Sequence, residues 1–542
     1  MTSPTPPQAP SPALGWLLAV PALLGTLISL VLPTGQTIWL SLQSGGVLRE
    51  STFVGPANYA ELLGEGEFWR ALGFTLSLIV MPLLVALVVG PLLALSLDRA
   101  GTWPRRAGRI ALSLAVVTFS PVGVAAAWIR GAMPNASGVA TLAEGLRDPA
   151  TAPGTLRLII VAATFGVVCA LALTAFLPAL RGGSVAPAML VVGALVGLAT
   201  VAVGLQVFSI GLVLTRGGPE RSTETLAGLQ YDYAFRLAEF GPGAAVAALT
   251  GVIVGVLGIV ATVIAVASRT RITLTPRVAP SAAYPPAGGL TERRPGPVGV
   301  AVGVTVLVVV VAVALVCTWP WIDGVLAVPE NGVGGLRAQL NTWVPAVAGA
   351  LVSVGVAYLA ALGIGGLRPL GRGSEWSLLV FAPWLFVGPG PLGVANWQNM
   401  RNMGLIDTFL ALFPPLLVSV PALLVLTLLC KGLAERTDRD FFSGVFLPSL
   451  PMAGILAGAV ALMNAQDLLW PLLVAQKSEL FTAPVAQMAQ LGGFTVATPD
   501  VGAATPLVVV VVALVAAVAA QVFYLDRLAV TTNGSRPRTP AA

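Results

Sequence analysis

The chain has 542 residues, 56% of them apolar and only 10% charged, with 29 Lys or Arg against 23 Asp or Glu and no histidine. A mean hydropathy of +0.89 is far from that of soluble domains, in which about a quarter of residues are charged. This excludes a soluble enzyme, and the lack of His removes the commonest acid–base side chain.

The opening stretch, MTSPTPPQAPSPALGW, carries no basic residue, so no cleaved signal peptide is expected. Residues 1–12 read as a disordered, Pro-rich cytoplasmic tail. Twelve apolar runs follow, at 13–33, 74–97, 110–129, 157–180, 186–213, 243–267, 298–318, 343–367, 376–395, 409–430, 450–474 and 502–524. Each is long enough to cross about 30 Å of hydrocarbon. They are continuously apolar, not alternating, which predicts helices and no barrel. The expected fold is all-α: a polytopic helical membrane protein of about twelve transmembrane helices in two six-helix modules. Gly and Pro disturb the pattern most in 186–213 and 376–395.

With the N-terminus inside, 18 of the 29 basic residues and 7 of the 23 acidic ones fall in inner segments, giving +11 inside and −5 outside. That asymmetry predicts both termini on the cytoplasmic side of the cell membrane, and it makes the net charge of +6 a topology signal. No basic stretch has the interleaved aromatics that base stacking needs, so no nucleic acid is expected as a partner. Cys169, Cys317 and Cys430 lie in or at the ends of different spans without metal-ligand spacing, and neither a metal nor a cofactor is expected.

Polar groups at membrane depth are costly and tend to mark pathways. Gln206 in the fifth run, with Asn464, Gln466 and Asp467 in the eleventh, are candidates, and Phe208 and Trp470 offer faces on which a sugar ring could stack. Asp467 has two readings, a cavity-lining carboxylate or a helix cap. Trp470 by itself reads as an interfacial anchor.

Residues 269–296, RTRITLTPRVAPSAAYPPAGGLTERRPG, hold five arginines and no apolar run, and read as a cytoplasmic linker. The linker divides a first module, 13–268, from a second, 297–530, which is followed by a tail at 531–542. Each module has a lone first helix, a polar outer segment and five more closely spaced helices. Such duplication is common in transporters.

Between the fifth and sixth runs stands TRGGPERSTETL, residues 215–226, a polar hook in an apolar chain. Gly217, Gly218 and Pro219 predict a rigid turn, in which the hydroxyls can satisfy backbone groups. The longer stretch LTRGGPERSTETLAGLQYDYAFRLAEFGPGAAVAAL (214–249) resembles the first permease subunit of sugar-importing ABC transporters. That pattern is L-T-x-G-G-P-x-x-S-T-E-T-L, then Y-x-x-A-F, then F-G-x-x-x-A. FVGPANYAELLGEGEFWRAL (53–72) resembles the same subunit's outer segment. In the second module, MGLIDTF (403–409) and NAQDLLWPLLV (464–474) resemble the partner permease subunit, with Ala465 and Gln466 in place of its usual Trp and Asn.

The resemblance covers most of 13–530 and implies two usually separate subunits fused in one chain. It implies a permease with two protein partners besides membrane lipid: ATP-binding cassette ATPase subunits and an extracellular substrate-binding protein. The hook residues Thr215, Gly217, Gly218, Pro219, Ser222, Thr223 and Thr225 would form the binding protein's docking loop. The substrate pathway would draw on Gln206, Phe208, Asn464, Asp467 and Trp470.

The family's ATPase-coupling loop, E-A-A-x-x-x-G followed by I-x-L-P, is only partly matched. In KGLAERTDRDFFSGVFLPSLP (431–451), Phe442, Val445, Leu447 and Pro448 fit the end, and Glu435 stands as a remnant or a solvated charge. LPALRGGSVAPAML (177–190), in the first module, has no such motif. No G-x-x-x-x-G-K-[ST] occurs, so ATP hydrolysis belongs to another chain. Two other readings remain. LDRAGTWPRRAGR (97–109) loosely resembles the D-R-x-G-R-R loop of major facilitator transporters, although three residues separate Gly101 from Arg105. The reduced coupling loops also fit a degenerate permease that acts as a membrane scaffold.

Overall fold

The computed structural model describes residues 12–46, 49–131, 138–182, 185–275, 296–326, 335–436, 440–491 and 502–532. Residues 1–11, 276–295 and 533–542, which hold the expected N-terminal tail and most of the expected linker and C-terminal tail, lie outside the described residues. The chain is an all-α polytopic membrane protein. Among the described residues, nine helices are long and apolar enough to span a membrane: Pro12–Ser41, Gly66–Ala100, Ala152–Ala179, Val185–Leu214, Phe240–Ala267, Pro297–Ile322, Leu336–Leu367, Phe442–Ala465 and Leu507–Arg527. A tenth is a pair, Thr102–Thr118 and Pro121–Arg130, bent by 80°.

Two of the twelve expected runs take another form. Residues 376–395 are split among the short 3-10 turns Gly371–Val380 and Ala382–Trp384 and the helix Pro389–Asn402. Pro383, Pro389 and Pro391 each remove a backbone donor and Gly388 holds an extended conformation, so no continuous helix can form there. The run 409–430 is helical at its end, as Val420–Ala434, after a short turn at Phe409–Leu412.

The two halves nevertheless break at matching places. The third apolar run of each is interrupted before a proline that opens the next helix, Pro121 in one half and Pro389 in the other. The fifth run of each stops and restarts. In the first half Val185–Gly204 is followed by Ser209–Leu214, and in the second Leu447–Ala465 is followed by Leu469–Val474. In both, the gap falls at a glutamine, Gln206 or Gln466.

The modules are not separate bodies, because each lends its first helix to the other. The helix Pro12–Ser41 packs on the second half, where Ala19, Ala22 and Leu30 share one buried cluster with Val354, Ala361 and Leu426. A Cβ on Gly363 would collide with the Gly15 carbonyl. Reciprocally, Pro297–Leu326 packs on the first half: Leu307, Val310 and Ala314 join a cluster with Leu93, Leu97 and Leu173. Here a Cβ on Gly303 would collide with Ala100, and would stand 2.7 Å from the Ser96 carbonyl oxygen. Small residues at such crossings let backbones approach, which is the main source of helix association in lipid.

Two short antiparallel ribbons complete the fold. Strands β1 (Gln43–Gly46) and β2 (Arg49–Phe53) form one, bridged from Gly46 to Glu239. Strand β3 (Arg271–Leu274) pairs with β4 (Leu528–Thr531), with Ile272 opposite Val530 and Leu274 opposite Leu528. The start of the expected linker is therefore a strand, held by the residues that follow the last helix. We predict that Gly303→Leu, which overpacks the crossing with Ala100, lowers stability by about 1–3 kcal/mol. The check is thermal unfolding in detergent, with the exposed Val302→Leu as control.

Candidate docking site, pathway and clasp

The hook is a self-contained turn. Thr215 ends the helix Ser209–Leu214 and donates its hydroxyl to the Gly211 carbonyl at 3.0 Å. The Gly218–Pro219 bond is cis, and Arg216, Gly217, Glu220 and Arg221 all have left-handed backbone angles. The Thr223 hydroxyl lies 2.8 Å from both the Gly218 carbonyl and the Thr215 hydroxyl, closing the loop on itself. Thr225 caps the helix Leu226–Tyr231 by accepting the Gly228 N–H at 3.1 Å. The Ser222 hydroxyl is buried without a side-chain partner.

Behind the turn sits Glu224, which belongs to the motif but was not singled out from sequence. It is 7% exposed, and its carboxylate is so close to Gly217 and Gly228 that a Cβ on either would collide with it. Both glycines therefore make room for one acid. Burial, with Asp232 nearby, raises the Glu224 carboxyl to about 7. Outside it, Arg221 pairs with Glu67, and Arg236 holds Asp232 at 2.9 Å.

At the broken helices the first half holds the second. Gln206 donates to the Phe386 carbonyl and accepts from the Gly388 N–H, both at 2.8 Å. Gln230 donates to the Gly390 carbonyl at 2.7 Å. Gln206 satisfies the backbone of the irregular stretch 386–388, as non-helical chain at membrane depth requires, and Gln230 holds the first turn of the helix that follows it. Gln206 thus serves protein backbone. Gln230 was not singled out either, since the sequence gives no sign that its partner backbone is irregular.

The other pathway candidates are dispersed. Asn464 donates to the Ala346 carbonyl at 3.2 Å. Asp467 accepts the Leu469 N–H at 3.1 Å, the capping alternative of the two readings. Phe208 is buried edge-on to Tyr231, with ring centroids 5.3 Å apart. Trp470 is 2% exposed and donates to the Ala411 carbonyl at 2.9 Å, so it is enclosed by protein and anchors no interface.

At the opposite end from the hook, the strands β3 and β4 cross between the halves. β4 is buried along its length and lies so close to Gly182 that a Cβ there would collide with the Val530 carbonyl. Gly432, in the other half, meets the Ile272 carbonyl of β3 in the same way. Each crossing tail also delivers a charge. Asp526 enters a set of first-half arginines, 3.3 Å from Arg105, 3.2 Å from Arg106, 3.4 Å from Arg109 and 3.0 Å from Arg181. Arg271 reaches Glu435 of the second half at 2.5 Å, and Arg368 grips the same carboxylate at 2.8 Å. Lys431 and Glu375 form a buried pair beside them, at 2.5 Å.

Glu435 is accordingly ion-paired to Arg271 and Arg368 at an exposed position. Of its companions, Phe442 and Leu447 are exposed at 56% and 48%, Phe442 stacks on Phe446, and the Pro448 carbonyl accepts the Tyr524 hydroxyl at 2.7 Å. Asp526 itself was missed. The available signal was its place as the one acid directly after the last apolar run.

Fold and site together define an all-α polytopic helical membrane protein. No family model matches the chain. Over 114 residues it is 34% identical to the alpha-glucoside transport system permease protein AglF of Rhizobium meliloti, covering 21% of this chain and 32% of that one, about a third of the relative's length. Over 280 residues it is 24% identical to the multiple sugar-binding transport system permease protein MsmF of Streptococcus mutans, covering 45% of this chain and 92% of the relative. A match to the trehalose transport system permease protein SugA of Mycobacterium tuberculosis is 31% identical over 88 residues, 16% of this chain and 29% of that protein. The chain is similar, in part of its length, to sugar-transport permeases.

Two variants test the site's construction. Asp526→Asn leaves the buried guanidinium of Arg109, 1% exposed, without its carboxylate. It should cost about 3–5 kcal/mol, the range for breaking a buried pair, and this is read as a lower unfolding temperature. Gln206→Leu strips two hydrogen bonds from the break at Phe386 and Gly388. Trypsin or chymotrypsin should then cut near 386–390 faster in this variant than in the parent.

Proposed function

We propose that this chain is the membrane-spanning permease of an ABC importer for a sugar or similar small polar solute, carrying both transmembrane modules on one polypeptide. The observation that supports this best is the hook. A run that fits ten fixed positions of the sugar-importer pattern folds into a single closed turn, with Gly217 of the turn and Gly228 of the next helix making room for its glutamate. The partial similarity to sugar-transport permeases points the same way.

In this reading the protein lies in the cell membrane with its termini in the cytoplasm, and a substrate-binding protein docks at the hook from outside. Thr215, Gly217, Gly218, Pro219, Ser222, Thr223 and Thr225 set the shape of that surface. Solute would pass between the halves, near the breaks that Gln206 and Gln230 bind together. A separate ATPase pair would drive the motion from the clasp end. The exposed side chains of Phe442 and Leu447 are the surface available to it, and Glu435 and Pro448 would carry its movement to β3 and to the last helix.

A second reading, a permease relative that serves as a scaffold, is favoured by one feature. The connections between the fourth and fifth helices are short, only 180–184 in the first half, and β3 and β4 bind the halves together beside them.

Co-purification separates the two. A C-terminally tagged chain, solubilised in mild detergent, should retain an ATPase subunit in a nucleotide-sensitive way, and Leu447→Asp should reduce that retention. Recovery of the chain alone, even after cross-linking in membranes, would rule out the importer.

A further inference from the structure

The hook and the helical residues behind it enclose a pocket of about 330 Å3, walled by Arg216, Arg221, Glu224, Asp232, Arg236 and Leu237. That volume is of the order of small-molecule sites, which start at about 300 Å3. Its charges are unevenly committed. Asp232 is held by Arg236 at 2.9 and 3.1 Å and lies 3.8 Å from Arg221, whose other partner is Glu67. Arg216 is exposed and pairs with no carboxylate among the described residues. Glu224 is 93% buried and takes the Thr225 N–H, and no arginine lies within ion-pair distance of it among the described residues.

Three arginines thus face one fully engaged carboxylate and one sequestered one. A cation would meet three like charges. A neutral polyol would leave the charge of Arg216 unanswered. A group with two or three oxygens and a negative charge matches the planar fork of Arg216 and the outer edge of Arg236.

We propose that this pocket is an oxyanion site, which seats a carboxylate or phosphate group of a small solute against Arg216 and Arg236 and uses Glu224 as the proton-linked donor to it. The acid's placement supports this role. Glu224 faces Asp232, Arg221 and Arg236 inside the pocket, with Glu67 of the neighbouring helix Gly66–Leu84 beyond Arg221. Burial and the charge of Asp232 bring its carboxyl to about 7. Protonated, it donates a hydrogen bond to the anion; ionised, it repels it. An arriving anion raises the acid's pKa further, so binding takes up a proton and weakens as pH rises through 7.

The test uses the full chain in mild detergent at constant ionic strength, titrated calorimetrically at pH 6 and pH 8 with sodium D-glucuronate, inorganic phosphate and D-glucose. At least one of the two anions should bind, D-glucose should not, and the affinity for glucuronate, whose own carboxylate stays ionised across the range, should fall about tenfold between pH 6 and pH 8. Glucuronate alone binding assigns a carboxylate, and phosphate alone assigns a phosphate. Arg216→Gln, on an exposed side chain, should weaken binding about tenfold at both pH values. Glu224→Gln, checked for an unchanged unfolding temperature, should bind at the pH 6 level throughout. Neither anion binding, D-glucose binding equally well, or full affinity in Arg216→Gln would overturn the site. A pH slope kept in Glu224→Gln would overturn the role of that acid; if the variant unfolds, Arg236→Gln supplies the second reading, and unchanged affinity there overturns the site.

Discussion

A backbone group that leaves helical geometry inside a membrane must find its partner in protein, because the lipid offers none. Much of this structure follows from that requirement. The second half abandons its third helix at the proline-rich stretch around 383–391, and the exposed carbonyls and N–H groups there are met by Gln206 and Gln230 of the first half. The second half therefore completes this break only with side chains of the first. The break in turn fixes how the halves approach, since the helix Phe240–Ala267 passes so close to it that a Cβ on Gly258 would collide with the Ala382 carbonyl.

The same logic of mutual completion holds at the clasp, but with charge instead of amides. The first half is rich in arginine at this end and receives an acid, Asp526, from the second half. The second half presents Glu435 and receives Arg271 from the first. The exchange is directional. A strand pair alone, with backbone bonds only, would not distinguish one tail from the other; the opposite charges do. Because Asp526 and its guanidinium partners are mostly buried, their desolvation is large, and the cluster is better understood as enforcing the arrangement than as adding net stability.

Much of this was legible in the sequence. The helical membrane class followed from apolar runs of spanning length, and the hook followed from Gly217, Gly218 and Pro219 in so apolar a chain. What escaped was the consequence of proline and glycine in 376–395: composition marked the run as apolar, while the missing backbone donors decided its shape. Asp467 shows a different limit. A carboxylate before a short helix reads equally as cavity wall or cap, and its bond to the Leu469 N–H is a detail of geometry that the sequence does not show. Pairings such as Gln230 with Gly390, or Asp526 with Arg181, join residues 160 and 345 positions apart, for which no local pattern exists.

The crossed tails also bear on how such a chain is made. Synthesis runs from the N-terminus, and domains ordinarily close as they emerge. Here the arginines at 105, 106, 109 and 181 are in place long before the carboxylate that joins them, which arrives only after the last helix has been inserted. Until then, among the described residues, the first half pairs that cluster of cations with no carboxylate of its own beyond Asp98. A ribosome that stops early would leave that cluster open. Asp526, just beyond the helix Leu507–Phe523, therefore completes the arginine cluster, and a nascent chain that ends before it leaves those guanidiniums without their shared carboxylate.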